Sequence, residues 1–481
     1  MSFFDSFIIT QKTVYMIFGF AVLFLATVIN FAFCGLFGKN SQKMSNNLTI
    51  STLILATICQ IPFIAGFSNP HSLDKVYFFG SNIVLGGLEI FLCIVSQLLV
   101  LFVFLISKQH LKQLRFKGHY FNSLYLCTAL GLDMLVISKG FLPFLLSLEI
   151  LSFCMFFVIL GFKNRKIYFN SYKFLTFSLF ASALMVFACA LSGGFSADFH
   201  SVTLVISKIL FMLALIMKSG FALIFETNSQ SNIQSFPSFV FYNSIMSFAY
   251  LIAVYKMLNT LFEPGSFMQI FAAILLCTTF ILSAFKLLKA QNFKDFIFLL
   301  NTLNFCFCTF LFFINDIQVH TGAILFIVNI AILNLGLLGA AAIFDINKNG
   351  LRADFDNFSA ICHTNPYYCR ILSLLLLIAC ALVPSGIFAS RFYINNALAQ
   401  TGLWSSIVMF IFALAYTILI TCCINFAAVF YKKPQSIKDL KEGKYKKRTN
   451  LNYSILLMSV IFLITMCAFS AKFANLITGL Q

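Results

Sequence analysis

Apolar residues along this chain run in long unbroken stretches, with polar positions gathered between them. Stretches of about 20 residues or more fall at 13–37, 48–67, 82–106, 119–138, 140–162, 172–192, 201–225, 236–258, 266–285, 293–313, 321–344, 371–390, 402–431 and 452–478, fourteen in all. A run of roughly 20 apolar residues is the length a helix needs to cross the hydrocarbon core. A membrane barrel would show short alternating segments instead. The pattern predicts an all-α polytopic membrane protein with about 14 transmembrane helices. The first run starts near Thr13 and has no small-residue cleavage site after it, so it reads as a span and not a signal peptide.

Composition agrees. Of 481 residues, 60% are apolar and 10% charged, and the mean hydropathy is +0.95. Soluble domains are about 45–50% apolar and about 25% charged, so a soluble enzyme, a disordered chain and a fibrous repeat are excluded. The net charge of +17 raises nucleic acid as a partner, but the positions of the cations decide otherwise. The loops after odd-numbered spans hold 23 Lys and Arg, including a dense run from Lys432 to Arg448; the other side holds 5. The positive-inside rule makes the 23-side cytoplasmic and puts both termini outside. Basic residues scattered over short loops give no nucleic-acid surface. The Lys432–Arg448 run reads first as a topology signal and second as a contact for anionic lipid. The 15 cysteines lie almost all in apolar runs and read as small buried hydrophobes. Cys306, Cys308, Cys422 and Cys423 lack a companion His or second CxxC, so no metal site is expected.

Four cations, Lys173, Lys208, Lys218 and Arg391, and three acids, Glu89, Asp133 and Glu149, fall inside or at the edge of the apolar runs. Each costs on the order of 2.5–3.5 kcal/mol at the bilayer centre on insertion scales, and such residues usually mark ion or proton routes. Glu149 sits near mid-depth in PFLLSLEILSFCMFFVIL, where a carboxylate–lysine contact that forms and breaks acts as a proton switch; a fixed pair locking two helices is the alternative. Lys218 ends SKILFMLALIMK, and Ser219-Gly220 after it marks a place for a helix to break. Lys208 lies ten residues earlier, about 15 Å along the axis, where snorkelling accounts for it. Lys173 opens its helix and has the same two readings. Asp133 is expected near the outer end of its helix and solvated, while Glu89 lies deeper with no assigned role. Pro384-Ser385-Gly386 predicts a broken helix, with Arg391 seven residues past the proline.

The residues at 140–162, GFLPFLLSLEILSFCMFFVILGF, followed by KFLTFSLFASALMVFACAL at 173–191, resemble the antiporter-like membrane subunits of respiratory complex I. They are most similar to the N subunit, called subunit 2 in mitochondria. LIMKSGFALIF resembles the family's lysine-bearing broken seventh helix, NFKDFIFLL its tenth with Lys294 at the lysine position, and LNLGLLGAAAIF its eleventh. ALVPSGIFASRFYI resembles the proline-broken twelfth helix, with Arg391 where the family has lysine. The order holds over roughly residues 120–435. The family's lysine of the eighth helix falls at Met246 and a frequent histidine at Asn304; Asn301 and Thr302 remain as polar groups of the tenth helix. The P-F-H after the seventh helix is replaced at Ile224 and Phe225.

The resemblance implies a three-helix N-terminal part (1–110), two inverted five-helix repeats (111–260 and 261–432) and a basic loop with a last helix (433–481). It implies proton translocation coupled to quinone reduction elsewhere in the complex. Glu149 and Lys218 become the switch pair of the first half-channel, Lys173 and Lys294 further proton-transfer candidates, and Arg391 the group at the outer exit. The chain has no CxxC ladder, haem motif or Gly-rich nucleotide loop. FMN, iron–sulfur clusters and quinone are therefore expected in partner subunits. Other membrane-arm subunits and the lipid bilayer are its expected neighbours, in a bacterial inner membrane. Two alternatives share the buried charges or their absence of purpose: a related cation/proton antiporter subunit, and a structural subunit with a degenerate channel. A lipid-linked sugar exporter would require clustered arginines facing a cleft, which the sequence lacks.

Overall fold

Backbone in hydrocarbon must satisfy every N–H and C=O within its own segment, so long apolar stretches become helices. The computed structural model describes residues 11–36, 41–65, 76–80, 82–111, 118–161, 165–191, 202–219, 235–261, 267–290, 292–312, 314, 316–347, 366–399, 403–431 and 450–480. Each of the fourteen apolar stretches contains helix where described. Eight helices there are long and apolar enough to cross a membrane, or nine if one bent pair counts as a single span. The chain forms two compact units, Met1–Lys163 with Gly479–Gln481, and Asn164–Thr478.

The first unit holds α1 (Gln11–Leu36), α2 (Ser41–Ala65), a hairpin of β1 (Val76–Phe78) and β2 (Ile83–Leu85), α3 (Gly87–Leu111), α4 (Gly118–Ile137) and α5 (Phe141–Leu160). Helix α4 packs against α1, α2, α3 and α5. Strands β1 and β2 are antiparallel, with Tyr77 opposite Val84. The hairpin is tied to the end of α4 by an Ile83–Ser138 bridge. The Lys139 and Gly140 amides both donate to the Asn82 carbonyl at 2.9 Å. The third apolar stretch thus begins as a strand and turns helical only at Gly87, whereas the apolar run alone reads as helix from residue 82.

The second unit holds α6 (Arg165–Leu191), α7 (Val202–Ser219) and α8 (Phe236–Phe241), then a π-helical turn (Tyr242–Met246) leading into α9 (Ser247–Leu261). There follow α10 (Phe267–Leu288), α11 (Phe293–Leu311), α12 (Ile317–Asn347), α13 (Pro366–Ala379), α14 (Gly386–Leu398), α15 (Leu403–Phe430), α16 (Asn450–Ala468) and α17 (Ser470–Leu480). Helix α12 is its axis, packed against α11, α13, α14 and α16. It is buried all round, which explains why its sequence is apolar on every face. Helices α6 and α15 instead present Phe180, Phe187, Phe410 and Leu414 outward, an apolar surface suited to acyl chains.

Hydroxyls in the spans mostly bond back to the turn before them: Thr128 to the Tyr125 carbonyl, Ser147 to Phe144, Ser283 to Phe280 and Thr309 to Phe305, all at 2.7 Å. This leaves few polar atoms facing lipid. The expected break at Pro384 is present. Helix α13 stops at Ala379, Ala381 takes a left-handed φ of 59°, and the Val383–Pro384 peptide is cis. Helix α14 then starts under a cap in which Ser385 Oγ accepts from the Phe388 amide at 3.2 Å. Helices α16 and α17, one apolar stretch in the sequence, bend by 74°.

Two glycines of α12 make a paired test of this packing. A Cβ on Gly336 would collide with Ser459 Oγ of α16 and lie 2.7 Å from Leu375 Cδ1 of α13, whereas one on Gly339 meets nothing nearer than 3.5 Å. Gly336→Ala is expected to lower the melting temperature of the purified protein through overpacking of about 1–3 kcal/mol. Gly339→Ala is expected to leave it unchanged or raise it, since alanine gains up to about 1 kcal/mol in a helix.

Candidate functional site

Of the five groups expected to handle protons, one lies in the first unit and four in the second. Glu149 is the ninth residue of α5, half-buried. Lys218 stands one residue from the end of α7 and is only 3% exposed. Its ammonium donates to Ser182 Oγ on the neighbouring α6. Lys173 is half-buried on α6, its ammonium 6.0 Å from the Phe177 ring centre. It does not open that helix, as expected from the apolar run alone: α6 begins at Arg165, because a helix continues through the polar residues beyond the hydrocarbon. Lys294, in the first turn of α11, lies 5.6 Å from the Phe236 ring and 5.8 Å from the Phe239 ring of α8.

Arg391 on α14 has its guanidinium 3.7 Å over the Tyr416 ring and 5.5 Å from Phe326. Phe307 packs edge-on against both rings, 5.2 Å from Phe326 and 5.6 Å from Tyr416. Such a cage holds a cation through the ring quadrupoles, each contact worth about 0.5–2 kcal/mol. The Arg391 guanidinium thus places a positive charge beside a cluster of three aromatic rings.

Between Lys218 and Arg391 the second unit contains a row of neutral polar groups. Tyr242 donates to the Ser219 carbonyl at 2.6 Å, directly after Lys218. The next residue, Asn243, lies in the π-helical turn, where the widened spacing frees carbonyls from the usual helix ladder. Asn301 Nδ2 of α11 donates to the Asn243 carbonyl and to its Oδ1, both at 3.1 Å, and Asn334 Nδ2 of α12 to the same carbonyl at 3.2 Å. Asn304 is buried one turn beyond Asn301. Asn329 Nδ2 donates to the Gly386 carbonyl at the start of α14, 3.0 Å away. The Oδ1 atoms of Asn301, Asn329 and Asn334 are buried with no hydrogen-bond partner among the described residues. Thr302 turns away, bonding the Phe298 carbonyl of its own helix at 3.0 Å. Met246, 1% exposed, closes the π-helical turn.

Lys218 and Arg391 stand out in the sequence by their charge, whereas Asn243, Asn329 and Asn334 do not. The available signal was three amides set in otherwise apolar runs, YNSIM and ILFIVNIAILNLGLL. Ile224 and Phe225 lie outside the described residues.

Asp133 departs from expectation. It is fully buried, with Oδ1 accepting from Ser96 Oγ and Oδ2 from Gln97 Nε2 of α3, each at 2.7 Å. Its place four residues from the end of α4 predicts a solvated carboxylate. The β1–β2 hairpin, anchored on Ser138, covers that end. Glu89, in the first turn of α3, is also buried, at 9% exposure.

No family model matches the chain. By fold it resembles a chain of respiratory complex I from Thermus thermophilus, with a TM-score of 0.76 over 95% of this chain and 98% of that one at 12% identity. It also resembles a chain of the Mrp complex from Dietzia sp. DQ12-45-1b, with a TM-score of 0.80 over 96% and 97% at 11% identity. The protein is thus an all-α polytopic membrane protein with a fold shared by chains of those two complexes. By sequence it is similar to NADH-quinone oxidoreductase subunit N of Pelagibacter ubique (strain HTCC1062), 28% identical over 168 residues. That match spans about a third of each chain, 34% of this one and 34% of the relative.

Proposed function

We propose that this chain is a membrane-arm subunit of a complex I-type NADH:quinone oxidoreductase and that it moves protons across the membrane while partner subunits carry electrons. The observation that carries the reading is Lys218, a lysine 3% exposed inside a helix bundle of this fold. Keeping an ammonium there costs free energy that methionine or leucine would not, and such residues usually mark an ion or proton path. The sequence match to subunit N supplies the kind of complex.

In this reading Glu149, Lys218, Lys173 and Lys294 exchange protons, and Arg391 sets the potential at the exit. The amides of Asn243, Asn301, Asn304 and Asn334 neither take up nor release a proton, so a proton passes this stretch on water held between them. Fourteen helices cross, with inverted repeats near 111–260 and 261–432 and both termini on the outer face of a bacterial plasma membrane. FMN, iron–sulfur clusters and quinone belong to the partners, and other membrane-arm subunits flank the chain.

A second reading, a cation/proton antiporter subunit, is supported by the similarity to the Mrp complex. Capture of the chain from gently solubilised membranes separates the two. The first reading expects iron–sulfur absorbance and NADH-dependent quinone reduction to travel with it, together with other hydrophobic chains. Hydrophobic partners without iron–sulfur absorbance, and proton movement driven by a sodium or potassium gradient, would establish the second.

A further inference from the structure

We propose that Asp133, Ser96 and Gln97 form a second proton-binding site, in the first unit and separate from the five groups above. Three observations point to it. The Asp133 carboxyl is fully buried, and its partners, Ser96 Oγ, Gln97 Nε2 and the Cys93 side chain, are all uncharged. A carboxylate lodged in an apolar helix bundle with only neutral donors is expensive unless it binds a cation or a proton.

Ser96 Oγ, moreover, lies 2.7 Å from two acceptors, Asp133 Oδ1 and the Cys93 carbonyl. A hydroxyl has one hydrogen and two lone pairs, so it donates to one of these at a time. With Asp133 ionised, Ser96 donates to Oδ1. With Asp133 protonated, the acid donates to Ser96 Oγ and the serine hydrogen turns to the Cys93 carbonyl. Gln97 Nε2 donates to Oδ2 in both states. The site therefore holds or releases a proton by rotation of one hydroxyl, with every heavy atom in place. Finally, Gln97 Oε1 is buried without a hydrogen-bond partner among the described residues, although Gln97 is wholly buried. It is an acceptor beside the carboxyl, able to receive a proton donor on its way in or out.

Among the described residues the surroundings contain acids and no buried cation; Lys108, near the far end of α3, is half-buried. On α3, Cys93 and Glu89 lie toward the helix start. On α5, Gly131 of α4 abuts Ile150 and Leu151, which sets Glu149 at the same level as Asp133 on the adjacent antiparallel helix. The buried polar groups of α1 and α2 are uncharged: Thr27, Asn30, Ser45, Thr49, Thr57 and Gln60. Strand β2 offers Val84 and Leu85. Lys139, past the end of α4, is exposed with its ammonium 5.0 Å from the Tyr77 ring, and Lys43 of α2 is exposed as well. The site is thus a second protonation point at the level of Glu149.

The test is infrared difference spectroscopy between acid and alkaline buffer on the captured protein in its complex, which reads protonation whether or not protons are transported. A titrating band of a protonated carboxyl is expected in the unaltered protein and absent from Asp133→Asn. In Ser96→Ala the band changes frequency and its midpoint moves by about one pH unit, the size of one hydrogen bond's contribution; Ser96→Thr restores both. Identical difference spectra for the unaltered protein and Asp133→Asn would overturn the proposal. Should Asp133→Asn fail to assemble, an unchanged band and midpoint in Ser96→Ala would overturn it equally.

Discussion

Glu149→Gln is expected to lower the proton flux through this chain on the order of a hundredfold, the scale on which a positioned acid–base group contributes. The glutamine keeps the shape of the side chain and its capacity for hydrogen bonds and loses only the exchangeable charge. Glu149 is half-buried on α5, whose helix is held by Leu148, Leu151 and Met155, all essentially buried. The amount of assembled complex should therefore be unchanged. Measured on vesicles, the ratio of protons moved to electrons passed should fall while electron transfer continues. Loss of assembly would instead make Glu149 a structural tie, and an unaltered ratio would remove it from the route.

Lys218→Met is expected to split stability from function. Methionine has nearly the same length and no charge, so inserting α7 becomes easier by roughly 3 kcal/mol on insertion scales. The Ser182 hydroxyl loses one donor but keeps its bond to the Ser178 carbonyl at 3.0 Å. The variant should therefore accumulate at least as well as the parent and resist heat at least as well. The number of protons moved per electron should drop as in Glu149→Gln. A group kept for packing would show the reverse, a loss of stability with transport intact. Such a trade is usual where a buried polar group serves activity and not the fold.

Much of the architecture can be read from the apolar stretches. Length alone identifies the helices, and Pro384 marks the break between α13 and α14. What escaped reading depended on contacts between distant segments. Asp133 is held by Ser96 and Gln97 of α3, 37 and 36 residues away along the chain, and the hairpin at 76–85 is concealed by a continuous apolar run at 82–106. The bend between α16 and α17 carries neither proline nor glycine, so nothing local announces it. Charge was the guide to the candidate site, which is why Lys218 and Arg391 stood out and Asn243, Asn329 and Asn334 did not. Asn243 gains its role from the π-helical turn that opens its carbonyl to Asn301 and Asn334, and no periodicity in the sequence signals that turn. The replacement of the expected lysine and histidine by Met246 and Asn304 was legible. Its consequence, a centre made of amides, became visible only when α9, α11 and α12 were placed together.

The central claim is that buried charge in this chain carries protons. Its most direct test is the ratio of protons moved to electrons passed in sealed vesicles containing the captured complex, compared between the unaltered chain and one bearing both Glu149→Gln and Lys218→Met. If the two groups serve one route, the double variant loses no more than the more severe single variant, because a path already cut is not cut again. A double variant that assembles fully and moves as many protons per electron as the unaltered complex would contradict the account.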